Sequence, residues 1–87
     1  MRRKYKPLEL HLLNLSKSVK EVSLTFPQIE EIIGSSMPQS AHTYREWWSN
    51  QADTRSRPQA RAWTNAGFIV ESVHQDGKNA RVQFKRR

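Results

Sequence analysis

Ser40-Ala41-His42-Thr43-Tyr44-Arg45-Glu46-Trp47-Trp48-Ser49-Asn50 holds three of the eight aromatic residues in an 87-residue chain. A core this small has to be assembled on its largest apolar side chains, and Trp and Tyr offer the most area each. If the stretch is helical, Ala41, Tyr44 and Trp48 share one face at spacings of three and four. Trp47 then projects about 100° away and makes the helix apolar on two sides. Two readings follow: all three rings are core, or Trp47 stays partly exposed and stacks on a base or a partner side chain. In the first, residues 40–50 form the spine of the domain, with Tyr44 and Trp48 packing the other helices against a sheet. Any contact function then falls to the opposite edge, at Gln39, Ser40 and Thr43.

The residues before the spine give it something to pack against. Pro7 suits a first helical position, and Leu8, Leu12 and Leu15 recur at helical spacing, widened by Leu10 and Leu13. A helix is predicted over 7–16. Val22, Leu24 and Phe26 alternate with Ser23 and Thr25, the mark of a short half-buried strand. Thr25 and Gln28 have capping-box spacing, and Pro27 opens a helix to Ile33 that turns Ile29, Ile32 and Ile33 inward. Glu30 and Glu31 point in different directions and read as a solvated face. Gly34 is a helix stop, Gly34-Ser35-Ser36-Met37 is a turn, and Pro38 opens the next helix to about Ser49. Residues 25–48 thus read as a helix-turn-helix.

After the spine, residues 50–57 form a polar loop carrying Arg55 and Arg57. A compact helix from Pro58 to Ala66 follows, with Ala60, Trp63 and Ala62 inward and Gly67 as its left-handed cap. From Phe68 the period falls to two. Phe68-Ile69-Val70 starts a strand, Gln75–Asn79 is a turn with an Asp-Gly hairpin signal, and Ala80 to Lys85 is the return strand. On it Ala80, Val82 and Phe84 face inward, while Arg81, Gln83 and Lys85 make a basic outer row. Val73 is out of phase with Phe68 and Val70, and a bulge near Glu71–Ser72 repairs the phase. The predicted class is α+β and winged-helix-like. It has three to four helices and a small three-stranded antiparallel sheet ending in a C-terminal hairpin. The helix at 58–66, inserted before the wing, departs from that scheme. The expected organisation is a basic arm at 1–6, one domain at 7–85 and a basic tail at 86–87.

Charge indicates the class of partner. The net charge is +7. Residues 1–6 carry four positive charges, residues 7–48 three positive and five negative, and residues 49–87 eight positive and three negative. The excess therefore lies at both ends and in the second half, which suggests a face for a polyanion, with nucleic acid the usual candidate. Arg55, Arg57 and Arg61 cluster around a helix N-terminus, where free N–H groups, the helix dipole and bidentate guanidinium donors combine for phosphate. Arg81, Lys85, Arg2 and Arg3 add to the phosphate-binding set. Gln39, Ser40, Thr43 and Arg45 are the base-reading candidates, because amide, hydroxyl and guanidinium groups can meet base edges.

Other chemistries lack their residues. With no cysteine there is neither a disulfide framework nor a thiolate metal site. His11, His42 and His74 have no partner at metal-ligand spacing, no motif surrounds a serine nucleophile, and three glycines form no phosphate loop. The expectation is a non-enzymatic protein without metal or cofactor. The charged start is followed by no apolar run, and the apolar runs are far too short to span a membrane, so a cytoplasmic location is expected. A protein-interaction module is the alternative, motivated by the tryptophan pair and the acidic first half. Binding of RNA or single strands is a third reading and requires Tyr44, Trp47 and Trp63 to be exposed.

Several short elements also carry a family resemblance. They are Tyr5-Lys6-Pro7-Leu8; Leu24-Thr25-Phe26 with Ile29-Glu30, Ile32 and Gly34; Pro38 with Ser40-Ala41; Trp47-Trp48-Ser49-Asn50; Gln59-Ala60 with Ala62-Trp63; and Ala66-Gly67-Phe68. Across residues 5–84 this pattern resembles a bacterial domain family of unknown function, whose members occur alone or attached to other domains, some of them apparent nucleases. The resemblance implies an architecture and a bacterial or phage setting. Association with nucleases fits DNA binding by analogy.

Overall fold

Eighteen buried apolar side chains gather into one core, to which all four α-helices, all three strands and the first 3₁₀ turn contribute. A computed structural model describes residues 4–50, 58–75 and 77–87, with the side chain of residue 78 left aside. The chain is α+β. In order it forms α1 (Lys6–Leu13), β1 (Glu21–Thr25), α2 (Phe26–Ile33), α3 (Gln39–Thr43), a 3₁₀ turn (Arg45–Trp48), α4 (Ala60–Thr64), β2 (Phe68–His74), a second 3₁₀ turn (Gly77–Asn79) and β3 (Arg81–Arg86).

The sheet is antiparallel with strand order β1-β3-β2, so the last strand is the central one. Val22 pairs with Phe84 and Leu24 with Val82, which puts the alternating apolar residues of β1 on the same face as those of β3. The hairpin phase is repaired at Glu71: Val70 faces Phe84, but the next pair is Ser72 with Gln83. That extra residue is a bulge, and it returns Val73 to the core side opposite Val82.

The helices start and stop as their end residues dictate. Thr25 Oγ1 accepts the Gln28 N–H at 3.2 Å and Gln28 Oε1 accepts the Thr25 N–H at 2.8 Å, a complete capping box on α2. Gly34 ends the helix at φ +73°, a backbone conformation that costs glycine little. α1 packs on α2 and α4, and α4 packs on β2. Leu8 and Leu12 are buried, whereas Leu10 and Leu13 are 48% and 51% exposed, so the apolar stripe of α1 is narrower than its composition predicts.

The helix predicted over 38–49 is not continuous. α3 ends at Thr43, and Tyr44 is extended at φ −111°, ψ 125°. The cause is competition for carbonyl groups. A continued α-helix would give the Ala41 carbonyl to the N–H of residue 45. Instead that carbonyl accepts Trp48 Nε1–H and Gln75 Nε2–H, both at 2.9 Å. The Tyr44 carbonyl accepts the Trp47 N–H at 3.2 Å and Gln75 Nε2–H at 3.1 Å. The break seats Trp48 in the core against Phe26, Trp47 and Trp63. It also turns Tyr44 out of the core, correcting the expectation that Tyr44 packs inward with Trp48.

Around Trp63 the polar ties are equally specific. Asn50 Oδ1 accepts both Trp63 Nε1–H at 3.1 Å and the Val70 N–H at 2.7 Å, while Asn50 Nδ2 donates to the Val70 carbonyl at 3.1 Å. One side-chain amide thus serves as a substitute neighbouring strand on the edge of β2 and satisfies the buried indole. Gln59 is buried and donates from Nε2 to the Trp47 carbonyl at 2.9 Å.

Candidate nucleic-acid interface

A basic residue can grip a phosphate only if its charge is not already engaged within the fold, and the positive side chains differ sharply on this point. Arg86, expected in a tail, is the last residue of β3. Its Nε donates to the Val19 carbonyl at 2.9 Å, its second guanidinium nitrogen donates to the Ser16 carbonyl at 3.1 Å, and the group lies 4.6 Å from the centre of the Phe68 ring. Lys6, expected in a mobile arm, opens α1 and pairs with the buried Glu9 carboxylate at 3.0 Å. Tyr5 sits edge-on to Trp47 with ring centres 5.8 Å apart. Burial pushes its phenol pKa above the ordinary value.

Lys85 is exposed on the outer face of the sheet, 3.7 Å from the Glu71 carboxylate. Gln83 beside it donates to Glu21 at 2.9 Å. The outer row of β3 is therefore interleaved with two carboxylates, and its charge at the Lys85 end is largely balanced. Arg81 heads the same strand, is exposed, and pairs in register with His74 on one side and Thr25 on the other. No ion pair engages it among the described residues. Lys85 lies four residues further on, about 13 Å away along an extended strand.

The base-reading candidates fall on a separate ridge. Gln39 and Thr43 are exposed on α3 and joined by a 3.2 Å bond from Gln39 Nε2 to Thr43 Oγ1, so they share one face. Ser40 is half-buried. Arg45 is exposed but lies past the break, on the 3₁₀ turn, so it does not continue the helical face. The ridge and the Arg81 end of the sheet meet through Gln75, whose amide holds the carbonyls of Ala41 and Tyr44 from the position just after His74. Gln75 thus ties Gln39, Thr43 and Arg45 to the end of the sheet where His74 pairs with Arg81, a corner remote from Lys85; the Arg81 side chain itself belongs to the outer row of β3.

Arg61 is half-buried on α4, an element that packs on α1 and β2 rather than on α3. Arg2, Arg3, Arg55 and Arg57 lie outside the described residues. Two exposed side chains at the corner, Tyr44 and His74, stand outside the set expected to contact duplex DNA. Helical spacing puts Tyr44 in the core, and the break after Thr43 puts it outside.

Two further side chains read differently in place. Glu30 is not merely solvated: its carboxylate accepts the Met37 N–H at 2.8 Å and pins the turn before α3. Trp63 is fully buried and Trp47 half-buried against the core, so the three rings required for a single-strand stacking platform are not exposed together. Among the described residues no group of His, Asp and Glu is arranged to hold a metal ion, and no helix is long and apolar enough to cross a membrane.

A family model described as a domain of unknown function (DUF7662) matches residues 5–86, nearly the whole of the chain. The chain belongs to that family. Searches of curated proteins and of solved structures each give no match.

Proposed function

With membership of that family as the premise, we propose that the domain is a non-enzymatic module that binds double-stranded DNA. The carrying observation is the Gln75-linked corner, where the polar side chains of the α3 ridge and the exposed Arg45 are tied to the end of the sheet at which Arg81 is exposed in the outer row of β3. The order of elements supports a winged-helix-like reading: α1, β1, α2 and α3 precede a hairpin that joins β1 in a β1-β3-β2 sheet. α4 and the 3₁₀ turn before it are additions to that plan.

The length of α3 bears on the choice between operator-type and sequence-tolerant binding. Its five residues span about 7.5 Å, little more than one turn, so it offers few side chains to base edges. We therefore favour phosphate-dominated, sequence-tolerant binding, with Gln39, Ser40 and Thr43 contributing at most a mild preference. Arg45 and Arg81 lead the phosphate contacts, with Arg2, Arg3, Arg55, Arg57 and Arg61 adding charge and Lys85 a smaller share. The same reading places the protein in a bacterial or phage cytoplasm and gives it no cofactor.

A salt titration on a labelled duplex tests this. Neutralising about six phosphates gives a log–log slope near −5. Absence of duplex binding at about 50 mM salt, where phosphate contacts are strongest, overturns the proposal.

The second reading is a protein-interaction module, and the half-exposed Leu10 and Leu13 on α1 favour it. Recovery of one protein partner, unaffected by nuclease treatment and lost on Leu10→Ser with Leu13→Ser, would decide for it.

A further inference from the structure

Tyr44 is the feature of the corner that the fold itself does not use. Its ring is 59% exposed, whereas the other aromatic rings are buried or half-buried. Its backbone is held from three sides. The Tyr44 N–H donates to the Ser40 carbonyl at 2.9 Å, and its carbonyl accepts the Trp47 N–H and the Gln75 amide. A large, two-torsion side chain is thus presented to solvent from a fixed backbone position, which keeps the ordering cost of a contact low. Arg45 follows it directly. Thr43 precedes it and shares a hydrogen bond with Gln39. His74 and Arg81 lie across Gln75. Glu46 is the one carboxylate in this part of the 3₁₀ turn. Fixed exposure, flanking cations and a short ridge are what a polyanionic surface can use.

We propose that Tyr44 is the anchoring contact for the sugar-phosphate backbone of a DNA duplex, an inference that rests on the DNA-binding reading above. The ring packs on a deoxyribose and the hydroxyl donates to a phosphate oxygen, while Arg45 takes a neighbouring phosphate. A single exposed ring is not a base-stacking platform, since single-strand binders stack successive bases on several aromatics. Trp48 and Trp63 are buried and Trp47 half-buried against the core, so Tyr44 is the one large aromatic among the described residues that is mostly exposed. Backbone contact is the role that one ring with a hydroxyl can fill.

The test is fluorescence anisotropy of a labelled duplex and a single strand of equal length, at several salt concentrations. The proteins are the full chain and its Tyr44→Ala, Tyr44→Phe and Arg45→Ala variants. Tyr44→Ala is expected to weaken duplex binding about tenfold at every salt concentration, the size of one good contact. Its log–log slope should be unchanged, because no charge is lost. Tyr44→Phe should fall between the two, and Arg45→Ala should reduce the slope by about one. Wild-type binding with Tyr44→Ala within about twofold of it overturns this assignment and leaves the DNA reading standing. Tighter binding of the single strand than of the duplex also overturns the assignment. Absence of wild-type duplex binding overturns the DNA reading and this assignment with it.

Discussion

The two ends of β3 carry the same kind of side chain to opposite ends. At residue 86 a guanidinium closes the fold: it holds the carbonyls of Ser16 and Val19 and lies over Phe68. At residue 81 a guanidinium stands exposed beside His74. Composition counts both equally towards +7. Only one is available to a partner. A basic pI therefore overstates the charge that a surface can offer, and the surplus has to be located residue by residue after subtracting arginines and lysines spent on the fold, such as Arg86 and Lys6.

The strongest way to break this contrast is at the closed end. Arg86→Ala removes two charge-assisted hydrogen bonds and a cation–π contact, and should cost about 2–4 kcal/mol of stability. Urea denaturation would read this as a lower midpoint with little change in slope, and the folded fraction should keep its salt dependence on DNA. A stability loss below about 0.5 kcal/mol, the range of ordinary surface changes, would mean that the clamp is ornamental.

Asn50→Ala is next, at about 1–3 kcal/mol. It leaves Trp63 Nε1–H without its acceptor and the edge of β2 without its substitute strand. Hydrogen exchange should show the Val70 amide losing protection ahead of the rest of the sheet. At the open end, Arg81→Ala should change stability by less than about 0.5 kcal/mol but reduce the log–log salt slope of duplex binding by about one. Equal effects of Arg81→Ala and Arg86→Ala on stability would erase the distinction. Between the two ends, Glu71→Gln should cost under about 1 kcal/mol, as exposed pairs do. It frees Lys85, so duplex affinity should rise slightly.

The smallest effect extends the contrast to tyrosine. The pKa of half-buried Tyr5 is raised by desolvation, so its neutral form favours the folded state. The associated stability is fully present below the unfolded value near 10 and is lost as pH rises through the higher folded value. Wild type should therefore lose stability above about pH 10 more steeply than Tyr5→Phe in paired thermal melts. Parallel curves would mean that Tyr5 ionises as freely in the fold as out of it.

Much of the fold was legible because local chemistry and global packing agree there. The capping box at Thr25 and Gln28, the cap at Gly34, the bulge at Glu71 and the inward set of β3 all follow from residue type and period. The break at Tyr44 was not legible, since it depends on Trp48 Nε1 and Gln75 Nε2, the latter 34 residues from Ala41, claiming the Ala41 carbonyl. No window of neighbouring residues contains that competition. The candidate site was legible as a charge surplus and illegible as a place, for the same reason: whether Arg86, Lys85 or Arg81 is free is decided by partners distant in sequence.

The central position of β3 has a consequence for how the protein is made. β1 and β2 are both complete before residue 75 but do not pair with each other; each waits for the strand that ends at Arg86. The sheet therefore closes only when β3, later in sequence than both its neighbours, is present, and the Arg86–Ser16 bond joins residues 70 apart. Until then Leu24, Phe68 and Val70 have no strand to cover them. A nascent chain halted before β3 should accordingly remain sensitive to protease and bind chaperones, and emergence of β3 should convert it to a resistant domain in one step.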